Sequence, residues 1–299
     1  MRAIAIINEE AGSSLGYDRD SLKSTITETF QAEGMTVDLW SVPSIEIEEA
    51  LRAAAKSDVP LLVAGGGDGT INTAASYAMK HDKTLGILPM GTLNRLANDL
   101  RIPLDLREAI RVIARGERHR IDAAEVNGHL FFCNSFFGLP AIFAETRAEL
   151  RGRPLLHRLR GYLYELPRSA FAARRIVVAI DDGTEKQMIR GLAFAVSNNP
   201  YVEEDVLTLR RGALNQGKLG FYASKHYSVF GVIWLLIKVL FGFWNKDPYF
   251  FRKSVETVQV RSKRSRIKLT NDGEVMRLQP PLNYSVHPAA VSIVLPGQS

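Results

Sequence analysis

The sequence predicts an α/β N-terminal domain with a doubly wound, mostly parallel sheet, followed by a β-rich C-terminal domain with a helical insertion. Three observations carry this reading. Up to about Arg118, apolar runs of strand length alternate with amphipathic stretches of helix length, the pattern of a parallel sheet covered on both faces. Beyond it, β-like runs flank Asn127-Gly128 and Asp182-Gly183, turn pairs favoured in antiparallel hairpins. And 299 residues are long for a single hydrophobic core.

Element by element, RAIAIIN (Arg2 to Asn8) reads as a strand, Asp20 to Glu33 as a helix and MTVDLW as a second strand. Ser44 can cap a helix running to about Lys56. PLLVA (Pro60 to Ala64) is a strand, followed by GGGDGT and a helix from Ile71 with Ala74, Ala75 and Ala78 on one face. After the strand LGILP, Thr92 is placed to cap a helix carrying Leu93, Leu96, Ala97 and Leu100. Pro103 stops that helix, and another runs from about Asp105 to Arg115. The boundary falls near Arg120, giving domains 1–120 and 121–287. In the second, VETVQVRSKRSRIKLTNDGEVMRL reads as a third antiparallel set, and the helical insertion covers Leu155 to Arg174. Periodicity leaves open whether 288–299, with VSIVLP, returns to the first domain.

Composition narrows the function classes. With Cys133 the only cysteine, an internal disulfide and a cysteine-rich metal site are excluded, and a reducing cytosol fits. MRAIAIINEE is too short in its apolar run for a secretory leader. The net charge of +6 is unevenly placed, with eight Arg against two Glu from Arg147 to Arg175. Seven Lys or Arg face only Glu256 from Arg252 to Lys268. Such segments suit an anionic partner surface, or are simply solvated faces. They lack a nucleic-acid-reading pattern, so no nucleic-acid partner is expected.

LLVAGGGDGTIN (Leu61 to Asn72) places four glycines and one aspartate between a strand and a helix. There, backbone N–H groups and the helix N-terminus can face an anion, and glycine permits positive φ and close approach of phosphate oxygens. No Gly-Lys-[Ser/Thr] follows, and the GxGxxG spacing fails, so this is neither a Walker A loop nor a Rossmann fingerprint. Asp68 would repel a bare phosphate; it makes chemical sense if it holds Mg²⁺ against one. The alternative is a glycine corner whose aspartate caps the next helix. LGILPMGTLNRLANDLRIP (Leu85 to Pro103) forms a second strand-turn-helix unit, with Gly91, Thr92 and Asn94 at its turn. Two such turns on consecutive strands lie at one C-terminal sheet edge, where ligands of open α/β sheets bind.

GGGDGTIN followed by LPMGTLNRLANDLRIP resembles the catalytic domain of diacylglycerol kinases, found in soluble bacterial lipid kinases and in sphingosine and ceramide kinases. INEEAGS, Gly138 and NDGEVMRLQPP match further family positions, with Glu9 standing where the family has proline. The resemblance implies an ATP-binding α/β domain, a β-sandwich second domain, and a cleft between them where ATP meets a lipid hydroxyl. It implies that Gly65, Gly66, Gly67, Asp68, Gly69 and Thr70 wrap the ATP phosphates. Gly91, Thr92 and Asn94 would stand beside them and Asn8 on the neighbouring loop. Asp68 and Asp122 would serve Mg²⁺. Asp272, or else Glu274, would take the proton of the attacking hydroxyl, although Asn271-Asp272-Gly273 also suits a plain hairpin turn.

Two departures stand out. Arg95 occupies a position where the diacylglycerol branch commonly has Asp, and Gln216 replaces the acid of a structural Mg²⁺ site, so that site is expected to be weak or absent. VFGVIWLLIKVLFGFW (Val229 to Trp244) is too short to span a membrane and is interrupted by Lys238. It is either a buried helix or an interfacial one, with Trp234, Phe241, Phe243 and Trp244 suited to the headgroup boundary and the basic tip Arg261 to Arg264 to anionic lipid. The expectation is therefore a cytoplasmic, peripherally membrane-associated lipid kinase using ATP and Mg²⁺, with a homodimer allowed. The competing readings are an NAD kinase, which shares a GGDGT loop, and a non-catalytic nucleotide- or lipid-binding regulator, kept open by Arg95 and Gln216. No short motif records the acceptor lipid, because acyl pockets are shaped by dispersed apolar side chains.

Overall fold

The computed structural model describes residues 2–12, 18–150, 175–181, 183, 185–201, 211, 213–226, 228–240 and 247–297, with isolated positions between 154 and 168. The chain divides into two compact units, Met1–Asp122 with Ala289–Ser299, and Ala123–Pro288.

The first unit contains β1 (Arg2–Asn8), α1 (Glu9–Gly12), α2 (Arg19–Ala32), β2 (Thr36–Val42) and α3 (Ile47–Lys56). It continues with β3 (Leu61–Gly66), α4 (Asp68–Lys80), β4 (Thr84–Pro89), α5 (Arg95–Asp99) and α6 (Leu106–Arg115). The strands run parallel in the order β2-β1-β3-β4. Every residue of β3 and β4 is buried, as expected of strands covered on both faces. α2 packs with α6, and α3 with α4. Each helix presents a narrow apolar stripe to the sheet; in α6 this is Leu106, Ala109, Ile110 and Ile113, at helical spacing. The sequence reading placed the α4 start at Ile71, but the helix begins at Asp68, because Gly67 is already extended and Ile71 donates its N–H to the Gly67 carbonyl at 3.1 Å.

The second unit takes in β5 (Glu117–Val126), which starts in the first, then β6 (His129–Phe131), β7 (Asn134–Gly138) and α7 (Leu139–Glu149). It continues through β8 (Ile176–Asp181), β9 (Lys186–Gly191), β10 (Ala193–Asn198), β11 (Leu219–Ser224) and α8 (Val229–Leu240). Last come β12 (Phe250–Val255), β13 (Thr257–Arg261), β14 (Ile267–Asn271), β15 (Glu274–Leu278) and β16 (Leu282–Leu295). One sheet is antiparallel throughout, in the order β12-β11-β10-β7-β14-β15. Opposite it, β13 lies between β16 and β8, and β8 pairs with β9. Phe131, Val178, Val260 and Tyr284 from this second layer share one core with Phe137, Phe194, Phe221 and Leu269 from the first, so the unit is a β-sandwich. The stretch read from sequence as one antiparallel set is thus split: β13 belongs to one layer, β14 and β15 to the other. The end of β16 leaves the sandwich and runs parallel to β4 in the first unit, pairing Ser292 with Thr84.

α7 and α8 cover the outer face of the six-stranded sheet, meeting around Leu139, Leu192, Val229 and Val232. Glu145 on α7 is ion-paired with Lys268 and Arg277 of that sheet. The Val229–Trp244 segment is neither wholly buried nor wholly exposed over its described part. Val229, Val232 and Leu235 are buried, whereas Phe230, Ile233, Trp234 and Ile237 are exposed. Phe241, Phe243, Trp244 and most of the Leu155 to Arg174 insertion lie outside the described residues. Among the described residues, no helix is long and apolar enough to cross a membrane.

α8 is fastened by a polar chain. Lys238 Nζ donates to Asp247 Oδ2 at 2.7 Å, His226 Nε2 lies 3.5 Å from Asp247 Oδ1, and Ser224 Oγ is 2.9 Å from His226 Nδ1. Gly231 lets the helix rest on the imidazole, since a Cβ there would come within 2.6 Å of His226 Cδ2. Burial lowers the His226 pKa below its usual 6.5, with Asp247 opposing and Lys238 reinforcing the shift. Because the folded state favours neutral His226, its stabilisation is complete above pH 6.5 and is lost as pH falls towards the lowered value. Replacement His226→Gln should therefore flatten the loss of stability below pH 6.5, measured by urea unfolding across pH; an unchanged slope would contradict this origin. A separate test concerns Gly138, whose φ is +80° and whose added Cβ would lie 2.4 Å from the Leu192 carbonyl oxygen. Gly138→Ala should cost roughly 1–3 kcal/mol in the same unfolding measurement.

Candidate functional site

The strand order puts the site in place. Winding reverses between β1 and β3, and the C-terminal ends of such strands border the crevice where open α/β sheets take ligands. Register sets Ile7 opposite Gly65 and Gly66 opposite Pro89, so Asn8, GGGDGT and MGTLN end on one edge. Of the residues predicted from sequence, Asn8, Gly65 to Thr70, Gly91, Thr92 and Asn94 are all brought to this edge.

The two turns are fused there. Met90 donates its N–H to the Gly66 carbonyl at 3.0 Å. Asn94, in the left-handed region at φ 45°, accepts from Gly91 N–H and donates to the Gly91 carbonyl, each at 2.8 Å. Asp68 Oδ1 accepts from Arg95 N–H at 2.6 Å, closing the gap between the turns and capping α5. Thr92 was expected to supply that cap; it is exposed instead, and Asn94 is the N-cap residue, with Asp68 providing the acceptor. One part of the expected reason for the glycines, positive φ, does not hold. None of Gly65, Gly66, Gly67 or Gly91 has positive φ. A Cβ on Gly91 would meet Gly67 Cα at 2.6 Å, and one on Gly65 would meet Ile7 Cδ1 at 2.5 Å. Close packing, against backbone at Gly91 and against side chains at Gly65, rather than an unusual dihedral, demands glycine here.

The first-turn amides of Asp68, Gly69 and Thr70 have no intrahelical acceptor, the feature on which anion sites at helix N-termini depend. Asp68 is partly exposed, and Oδ1 alone is taken up by Arg95, leaving Oδ2 available to a cation. That fits Mg²⁺, which needs only one or two carboxylates beside the phosphates of its nucleotide. Asn8 Oδ1 accepts from Glu10 N–H at 3.0 Å and from the Ser44 hydroxyl at 3.1 Å, which fixes the loop after β1. Asp122 is fully buried, its Oδ1 accepting from Ala289 N–H at 2.9 Å, and Ala289 has φ 50°. No cluster of three or more His, Cys, Asp or Glu side chains able to hold a metal occurs among the described residues.

In the second unit, Asp272 and Gly273 form a two-residue hairpin turn with φ of 48° and 101°, so the hairpin reading holds. The carboxylate nevertheless does more than turn the chain. Its Oδ2 accepts from Phe132 N–H at 2.6 Å, and its Oδ1 from Cys133 and Asn134 N–H at 2.9 and 2.7 Å. Burial pushes this carboxyl above the usual carboxylate range, and the three amides with Arg211 pull the other way. Arg211, which no sequence signal singles out, is buried with its guanidinium donating to the Phe132 and Asn198 carbonyls at 2.5 and 2.8 Å. Beside the turn, Asn271 is buried with neither side-chain amide atom paired, a spot that favours any polar group able to reach it. Glu274 is exposed. Gln216 donates its backbone N–H to Asn199 Oδ1 at 2.9 Å while its side chain is exposed.

The outer face of the six-stranded sheet encloses an apolar cavity of about 230 Å³, entirely within the second unit. Phe136, Ala195, Tyr222 and Phe250 form its floor, α7 contributes Leu139 and Phe143, and α8 contributes Val232 and Leu235. These positions were invisible in the sequence because they alternate with core residues on strands distant along the chain.

A switch-point edge built from two glycine turns, with first-turn amides and a partly exposed carboxylate, has the features of an anion-binding site in an α/β unit. Comparison with known proteins adds to this: residues 2–126 match the diacylglycerol kinase catalytic domain. Over 96 residues the chain is 43% identical to proteins named "Probable lipid kinase YegS-like" from Yersinia pestis (strain Pestoides F) and Yersinia pseudotuberculosis serotype O:1b. That stretch is 31% of this chain and 31% of each relative, so the chain spans about a third of their length in the match. The fold as a whole is similar to a crystal structure of a diacylglycerol kinase from Bacillus anthracis str. Sterne, with TM-score 0.73 and 16% identity over 98% of this chain and 96% of that one. A second structure from the same organism gives TM-score 0.75 at 19% identity over 98% and 96% of the two chains.

Gly91→Ala should separate the turns. The expected outcome is loss of nucleotide binding by about tenfold or more, read by calorimetry, because anion sites of this kind depend on fixed amide positions. Wild-type affinity in this variant would show that the contact is dispensable.

Proposed function

We propose that the protein is an ATP-dependent lipid kinase that transfers the γ-phosphoryl group to a hydroxyl of a diacylglycerol-like or related lipid. The observation that carries this reading is the apolar cavity, found in the same chain as a diacylglycerol kinase catalytic domain. A nicotinamide dinucleotide would gain little from walls made of Phe136, Phe143, Val232, Leu235 and Phe250. An acyl chain gains about 0.8 kcal/mol for each methylene it buries there.

The residues then take the following parts. The amides of Asp68, Gly69 and Thr70 bind phosphate oxygens, and Asn8 and Asn94 hold the flanking turns in shape. Asp68 offers Oδ2 to Mg²⁺, with Asp122 as a buried acid of the same unit. When bound, Mg²⁺ neutralises charge on the phosphoryl oxygens. Asp272 accepts the proton of the attacking hydroxyl at Oδ2, which is engaged by one amide where Oδ1 is engaged by two. Desolvation, by raising its proton affinity, favours that role over the exposed Glu274. The Arg95 guanidinium, at the same edge, is available to a phosphate. A cytoplasmic protein that works at a membrane surface fits this chemistry.

The test is phosphorylation of a panel of mono- and diacylglycerols, sphingoid bases, ceramide, phosphatidylglycerol and NAD with γ-labelled ATP. Lipid labelling should fall by about 10²-fold or more in Asp68→Ala. In Asp272→Asn the loss should be roughly 10²–10⁴-fold, with thermal melts confirming that the variant is folded. Labelling of NAD alone would overturn the proposal.

A further inference from the structure

We propose that the outer face of α8 docks the protein on an anionic lipid bilayer, beside the cavity that the inner face of the same helix walls. This rests on the lipid-kinase reading for its purpose, but the surface is defined independently of it. Phe230, Ile233, Trp234 and Ile237 recur at helical spacing and are 66%, 44%, 56% and 38% exposed. A helix of the first unit such as α6 buries Leu106, Ile110 and Ile113 and leaves no large apolar side chain exposed; α8 does not do so. Exposed apolar residues standing singly need no explanation, but four in one stripe do.

Three features favour a bilayer over a protein partner. First, the inward residues of the helix, Val232 and Leu235, line the cavity, so the stripe and the cavity are two sides of one element. A lipid leaving a bilayer at this stripe would travel one helix width to reach the cavity. Second, α8 carries no acidic residue, and its one charge, Lys238, is spent on Asp247. Third, the charge on this face of the sheet leans basic. Arg252 is exposed and lies opposite Tyr222, on the cavity face of its strand. Lys268 and Arg277 at the far edge of the sheet outnumber Glu145, their acidic partner. Trp and Phe among apolar aliphatics suit the headgroup boundary of a membrane, and a basic residue close to an anionic surface adds about 1 kcal/mol. The polar chain from Lys238 through Asp247 to His226 holds the helix against the sheet, so docking requires no unfolding of α8.

Co-sedimentation of the full chain with phosphatidylcholine–phosphatidylglycerol vesicles is the direct test. Phe230→Ser and Trp234→Asp should each weaken binding roughly tenfold, the scale of losing one buried large side chain. Arg252→Glu should weaken binding to these vesicles and leave binding to pure phosphatidylcholine vesicles unchanged. Brominated phosphatidylcholine should quench a fluorescence component that disappears in Trp234→Phe. Val232→Trp, which fills the cavity, should abolish lipid phosphorylation while leaving vesicle binding intact. Unchanged vesicle binding in Phe230→Ser and Trp234→Asp would overturn the docking proposal even if lipids are phosphorylated. So would a concentration-dependent dimer lost in those variants, which would show that a second copy covers the stripe. Vesicle binding without phosphorylation of any lipid would instead sink the kinase reading and leave docking standing.

Discussion

The approach of Gly67 to Gly91 is the constraint on which the first unit depends. Two turns on neighbouring parallel strands come so close that a Cβ on Gly91 would lie 2.6 Å from Gly67 Cα. That proximity allows Asp68 to reach across to the Arg95 amide, and it aligns the start of α4 with the start of α5 at one sheet edge. A carboxylate at a helix N-terminus is electrostatically favourable in itself. Tied through one oxygen to the Arg95 amide, it becomes a fixed acceptor at the sheet edge.

The second unit treats an aspartate in a turn quite differently. Asp272 sits in a tight hairpin, yet its carboxylate is enclosed by three consecutive amides of residues 132–134 and faced by Arg211. The turn and the strand it reaches are therefore locked together, with Asp272 N–H returning a bond to the Asn134 carbonyl at 2.8 Å. A buried carboxylate needs such partners, since desolvating it alone would be prohibitive. Burial raises its proton affinity, while the amides and Arg211 lower it.

α8 shows how one helix can serve two environments. Its inward stripe completes the apolar cavity, and Gly231 lets it lie directly on His226. The polar chain beneath it supplies direction that apolar packing alone lacks, because the contacts of Asp247 with Lys238 and His226 are directional. The outward stripe is then left for whatever lies outside the protein.

The sequence by itself determined the class of the first unit and the identity of its loops. Alternating strands and helices are local patterns, and GGGDGT with PMGTLN is a contiguous signal, so neither needs distant contacts to be recognised. It also located Asn127-Gly128 and Asp272-Gly273 as turns, because positive φ at two successive residues has few compatible side chains. Only the tertiary structure decided that the loop glycines answer to close packing, that Asp68 rather than Thr92 caps α5, and that β13 and β14 part into different layers. The same holds for the cavity, for Arg211, and for the split character of α8. Each of these depends on residues brought together from distant points of the chain, and periodicity reports which face of an element is apolar, not what that face will meet.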